Sequence, residues 1–121
     1  MNNYTKSELE QTLQIVSSTI SRCEQAWPKF AEGTSQHTLL KNRIKALNIA
    51  KCLLTDEPGI GNYSKEELTR ALRPVSSIIS KCEKAQWKFA QGTSHYARYK
   101  RMIQAMYISK SLIEAEIDQR G

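Results

Sequence analysis

The first apolar positions of the chain fall at Leu9, Leu13, Val16, Ile20, Cys23, Trp27 and Phe30, in alternating steps of four and three. Such spacing places all seven side chains on one face of a helix and could not do so on a strand. Thr5 precedes this run with Glu8 three residues on, the pattern of a capping box in which hydroxyl and carboxylate each satisfy an otherwise unpaired N–H. The pattern then returns: Ser64 with Glu67, followed by Leu68, Leu72, Val75, Ile79, Cys82 and Phe89. Gly33 and Gly92 supply a left-handed residue that stops each helix, and the Thr-Ser after each glycine caps the next one. Second helices are expected over about 35–54 and 94–117. The apolar face of the earlier one (Leu40, Ile44, Leu47 and Leu54, flanked by Leu39, Ile49 and Leu53) is wider than a seam.

This recurrence is a duplication. Laid at an offset of 59, residues 4–57 and 63–116 agree at 26 of 54 positions without a gap. VSSTISRCEQA returns as VSSIISKCEKA, and KFAEGTS as KFAQGTS. Each copy reads as a helical hairpin, and TDEPGIG at 55–61, with a proline and two glycines, reads as the linker between them. The predicted fold is all-α, a single domain over 1–121 in which the two hairpins form an antiparallel up-down-up-down four-helix bundle. A hairpin-swapped dimer, with the linker drawn out as a hinge, is the alternative arrangement. Level residues within the first hairpin should sum to about 65. That places Glu24 opposite Lys41 and, by repetition, Glu83 opposite Lys100, two expected inter-helix ion pairs.

Composition adds a charge asymmetry. The chain carries a net +6. Residues 1–59 hold seven Lys/Arg against six Asp/Glu, whereas residues 60–121 hold eleven against six. A basic half points to an anionic partner such as nucleic acid, or simply to a solvated surface. No stretch of about 18 apolar residues occurs, so no membrane span is expected. The polar opening MNNYTKSELEQT does not read as a secretory leader. Three cysteines without a CxxC spacing fit a reducing cytoplasm better than a disulfide scaffold.

Catalytic signatures do not emerge. No Glu-x-x-His recurs, no glycine loop cradles phosphate, and no nucleophile elbow occurs. Neither a cofactor nor a metal is expected. Cys23 and Cys82 hold equivalent seam positions on diagonal helices, so they read either as a facing redox pair or half a metal site, or as two small core residues. Ser17, Ser21 and Glu24 recur as Ser76, Ser80 and Glu83, a polar stripe beside the seam that reads either as a binding groove or as small residues letting helices approach closely.

Departures from the repeat are more informative. Pro74 replaces Ile15, removes an N–H bond to the Arg70 carbonyl and should bend the third helix. Trp27 lies on the seam, but Trp87 is displaced by one residue, or about 100° around the helix, which should set it beside Tyr96. Lys84, Trp87, Lys88, His95, Tyr96, Arg98, Tyr99 and Arg101 are thereby expected at one end of the second hairpin, with Met102, Met106 and Tyr107 continuing along the fourth helix. Aromatic and methionine side chains there would receive a protein partner or a second copy of the chain. Aromatics interleaved with arginine and lysine would alternatively stack bases and pair with phosphates.

The doubled SELE/EELT…VSS-IS-CE-A and KFA-GTS segments, which span nearly the whole chain, resemble small proteins of Gram-positive bacteria built from tandem helical hairpins. That resemblance implies the bundle. It brings no assigned activity, and the leading expectation is a non-enzymatic interaction module, with nucleic-acid binding as the alternative.

Overall fold

The structure is a computed structural model that describes residues 4–121, so Met1–Asn3 of the polar opening lie outside the described residues. Four helices form: α1 Lys6–Ala26, α2 Ser35–Leu54, α3 Lys65–Gln86 and α4 Ser94–Gln119. Short 3₁₀ turns at Trp27–Lys29 and Pro58–Asn62 follow α1 and α2. Both capping boxes are made, with Thr5 and Glu8 exchanging bonds of 3.0 and 2.9 Å and Ser64 and Glu67 bonds of 3.1 and 3.0 Å. Thr34 and Thr93 cap α2 and α4 as expected.

The first helix of each hairpin ends earlier than the seam implied, at Ala26 and Gln86, leaving Trp27, Phe30 and Phe89 outside it. Pro28 accounts for the break in the first copy only, since the second has Trp87 there. The shared cause is the turn. Thr34 N–H donates to the Ala31 carbonyl and Thr93 N–H to that of Ala90, each across a glycine at φ near +90°. Positive φ only at the third position is a type II turn, which glycine adopts without strain. At the end of α2 the left-handed residue is instead Asp56. Glu57 N–H donates to Cys52 and Asp56 N–H to Leu53, which together form a Schellman motif.

Neighbouring helices pack in the order α1–α2–α3–α4, and α4 closes back on α1, as an up-and-down bundle requires. The cross-section is a rhombus. α2 touches α4 across the short diagonal, whereas no Cα of α1 lies within 8 Å of one in α3. Its core runs through Val16, Leu47, Ile49, Leu68, Val75, Met106 and Ile113, all fully or nearly fully buried. It is concentrated toward the end holding the linker; between Ile79 and Ala105 no side chain is buried. α3 runs unbroken through Pro74.

Buried hydroxyls cost little here, because Thr12, Thr19 and Ser109 each donate to the carbonyl four residues back. Arg120 ties the end of α4 to the linker. Its guanidinium donates to the carbonyls of Ile60, at 2.8 Å, and Tyr63, while Glu116 holds it at 3.1 Å.

The expected register holds, with the Trp27 and His37 rings tilted against each other at 5.0 Å and Gln86 reaching the Tyr96 carbonyl. The expected ion pairs do not form: Glu24, Lys41, Glu83 and Lys100 are all exposed, and none is paired within 4.0 Å. Among the described residues, the ion pair that joins two helices is Lys45–Glu67, at 2.9 Å, between α2 and α3. Lys45 and then the Ser64 amide pull the Glu67 carboxyl from the ordinary 4.5 to about 2. A depressed carboxyl stabilises the fold above the unfolded-chain pKa, and that contribution fades as pH falls toward the folded one. Thermal unfolding followed between pH 5 and pH 2 should therefore show a loss of stability that is smaller in Glu67→Gln. Equal slopes in the two proteins would contradict this account.

Candidate functional site

The residues singled out on the second hairpin do not form one cluster. Met106 is fully buried and Met102 is half-buried against the core, where its sulfur lies 3.8 Å from Thr19 Oγ1. α4 directs this face inward along the short diagonal, so the expected methionine surface is part of the core. Phe89 gathers two of the rings, with His95 stacked at 4.7 Å and Tyr99 at 5.9 Å between centroids. Tyr96 is half-buried beside Gln86.

Trp87 does not settle beside Tyr96. It is the C-cap of α3, stands 90% exposed, and makes no ring contact among the described residues. Lys84 and Lys88 are exposed near it. Its counterpart on the seam, Trp27, is half-buried, and its indole N–H is enclosed without an acceptor.

Arg98 and Arg101 face another way. They line the groove between α4 and α1 together with Gln14, Ile15, Ser18 and Arg22. This stretch, of about 530 Å³, adjoins a smaller one of about 170 Å³ floored by Ile15, Ala105 and Ile108 and edged by Gln11 and Gln104. Arg101 belongs to both. Arg22 donates to Thr19 Oγ1 at 3.3 Å, and none of the three guanidiniums has a carboxylate within 4.0 Å among the described residues. Glu8, the carboxylate in the groove, is engaged by the Thr5 amide. From Glu8 to Arg22 the groove follows α1 for about 21 Å at 1.5 Å per residue. Three unpaired arginines over an apolar floor with glutamine edges favour an extended anion, because guanidinium forks match phosphate oxygens in pairs. Arg22 escaped sequence analysis because it lies 76 positions before Arg98; only the closure of α4 on α1 brings them together.

The cysteines are free thiols. Burial pushes Cys23 and Cys82 up, against the opposing charges of Arg43 and Arg22 at both. Those shared neighbours place the two thiols in one electrostatic environment, yet a disulfide needs Cα atoms about 4.4–6.8 Å apart. With α1 and α3 more than 8 Å apart throughout, the facing redox pair is not formed. Arg43 itself has Nε and one Nη enclosed without an acceptor. No three His, Cys, Asp or Glu among the described residues could converge on a metal ion, and no helix among them is long and apolar enough to cross a membrane.

The two tryptophans should separate cleanly by quenching. Acrylamide should strongly quench the emission of Trp27→Phe, which keeps Trp87, and only weakly that of Trp87→Phe, which keeps Trp27. Equal quenching of the two variants would contradict the exposed setting of Trp87. Compared with protein-family models, with curated proteins and with solved structures, the chain matches none.

Proposed function

We propose that the chain is a non-enzymatic cytoplasmic binding module whose ligand is a nucleic-acid strand laid along the groove between α1 and α4. The observation that carries this reading is the trio Arg22, Arg98 and Arg101, unpaired and lining one continuous groove. A strand of B-form duplex presents one phosphate per about 3.4 Å of helix axis, so a groove of about 21 Å runs beside about six of them. Gln11, Gln14 and Gln104 offer amides for sugar or base edges. The net charge of +6, carried mostly by the second hairpin, adds long-range attraction.

Three phosphate contacts give a log–log salt slope of about −2.7, which corresponds to about 40-fold weaker binding at 200 mM than at 50 mM salt. Fluorescence anisotropy of a labelled oligonucleotide reads this directly. An oligonucleotide carrying a photo-crosslinker should attach to residues 11–22 and 98–108, and Arg98→Ala with Arg101→Ala should remove those attachments. Absence of binding at 50 mM, or crosslinks elsewhere only, overturns the reading.

A second reading, a protein contact made through Trp87 by a partner or a second copy, is supported by that ring's 90% exposure. Tryptophan is an effective interface anchor because it contributes a large rigid area. Sedimentation over rising concentration should then show self-association that Trp87→Ser abolishes. A monomer at every concentration removes the self-association form of this reading.

A further inference from the structure

The duplication that built the bundle built its grooves in pairs. Subtracting 59 from the α4 wall of the α1/α4 groove turns Arg98, Arg101, Ala105 and Ile108 into Leu39, Asn42, Ala46 and Ile49. Adding 59 to its α1 wall turns Gln11, Gln14, Ile15 and Ser18 into Arg70, Arg73, Pro74 and Ser77. All of these line one groove of about 630 Å³ between α2 and α3, on the opposite side of the bundle. The two grooves are thus the same structural site in two copies.

Their charges correspond although their sequences do not. Each is lined by an Arg-x-x-Arg pair, one turn apart on a single wall. In the first groove the pair is Arg98 and Arg101 on the second helix of its hairpin, opposite Gln11 and Gln14. In the second it is Arg70 and Arg73 on the first helix of its hairpin, opposite Leu39 and Asn42. Each groove carries a third cation, Arg22 or Lys45, and one carboxylate, Glu8 or Glu67, already engaged by a helix cap. Lys45 also holds Glu67 at 2.9 Å. Arg70 has only a loose contact with Glu66 at 3.9 Å, with both side chains at least 80% exposed. Arg73 has no ion pair among the described residues. Pro74 adds an acceptor, because the Arg70 carbonyl lacks its helical donor, and residues 70, 73, 74 and 77 around it all face this groove. An amino group on a base edge beside a phosphate supplies a matching donor.

We infer that the α2/α3 groove is a second nucleic-acid site, and that one chain bridges two strands held on opposite sides of the bundle. This rests on the strand-binding reading of the α1/α4 groove. A rigid bundle between two sites fixes their separation, so the complex is a crosslink between strands rather than a longer footprint on one of them.

Native mass spectrometry with a short oligonucleotide in excess at low salt counts the strands on each chain. Two oligonucleotides per chain are expected, falling to one in Arg98→Ala/Arg101→Ala, to one in Arg70→Ala/Arg73→Ala, and to none when all four are replaced. Moving the arginines across the groove provides a check that damage to the fold could not mimic. Leu39→Arg with Asn42→Arg, made in the Arg70→Ala/Arg73→Ala background, reproduces the α4 arrangement on α2 and should restore the second oligonucleotide. In a parallel assay, an immobilised oligonucleotide should retain a second, labelled one only through the wild-type chain or the rescued variant. A single oligonucleotide on the wild-type chain, unaffected by Arg70→Ala/Arg73→Ala, overturns the second site and leaves the first. No oligonucleotide on any chain overturns both.

Discussion

The structure depends on one constraint. Two copies of a hairpin, neither able to bury its apolar face alone, must share a single core. A helical hairpin of this length leaves a continuous stripe of leucine, isoleucine and valine facing water until another hairpin covers it. Covering it with a copy of itself generates an approximate twofold relation. The rhombic section then follows from side-chain size: Ala46 and Ala50 on α2 and Ala105 and Ser109 on α4 are all buried and small, which lets this diagonal close. α1 and α3, which bring Ile20, Ile78 and Ile79, stand farther apart. That separation leaves two long interfaces, α1/α4 and α2/α3, as grooves rather than sealed seams.

Much of this was legible in the chain. Caps, glycine turns and seam residues are local features whose physics acts over a few residues, and the structure repeats them almost position by position. Three features were not. The helices before each turn stop at Ala26 and Gln86 because a type II turn must be reached, a demand that heptad counting does not see. The inward setting of Met102 and Met106 was hidden because their apolar face is broad, and period alone does not tell which flank meets the short diagonal. The arginine groove was hidden for a topological reason, since Arg22 and Arg101 meet only through the contact between the first and last helices. Trp87 shows the opposite failure: its displacement from the seam is plain in the chain, but the turn carries the ring out to solvent rather than against α4.

Where the copies differ is as informative as where they agree. Most core positions are kept or exchanged among apolar residues, as at Leu47 and Met106 or Val16 and Val75, and at three the exchange is between a hydroxyl and an apolar side chain: Thr12 and Ala71, Thr19 and Ile78, Ser109 and Ala50. Groove walls are rewritten: Gln11 and Gln14 against Arg70 and Arg73, Leu39 and Asn42 against Arg98 and Arg101. Packing restricts the first class, because a buried side chain touches neighbours on every side. The second class is bounded by solvent, where a change of residue costs little stability. That both rewritten walls end with two arginines keeps the charge of the grooves alike while their sequences diverge.

Because each hairpin sees the other as its complement, the order in which the two are connected carries almost no structural information. The amino end of α1 and the carboxyl end of α4 emerge at the same end of the bundle as the linker, and α4 already packs on α1. A circular permutant that starts at the linker and joins the present ends through a comparable segment would keep every helix neighbour and both grooves. Arg120 is the side chain that marks the existing order, since its bonds to the Ile60 and Tyr63 carbonyls tie the last turn of one hairpin to the strap leading into it.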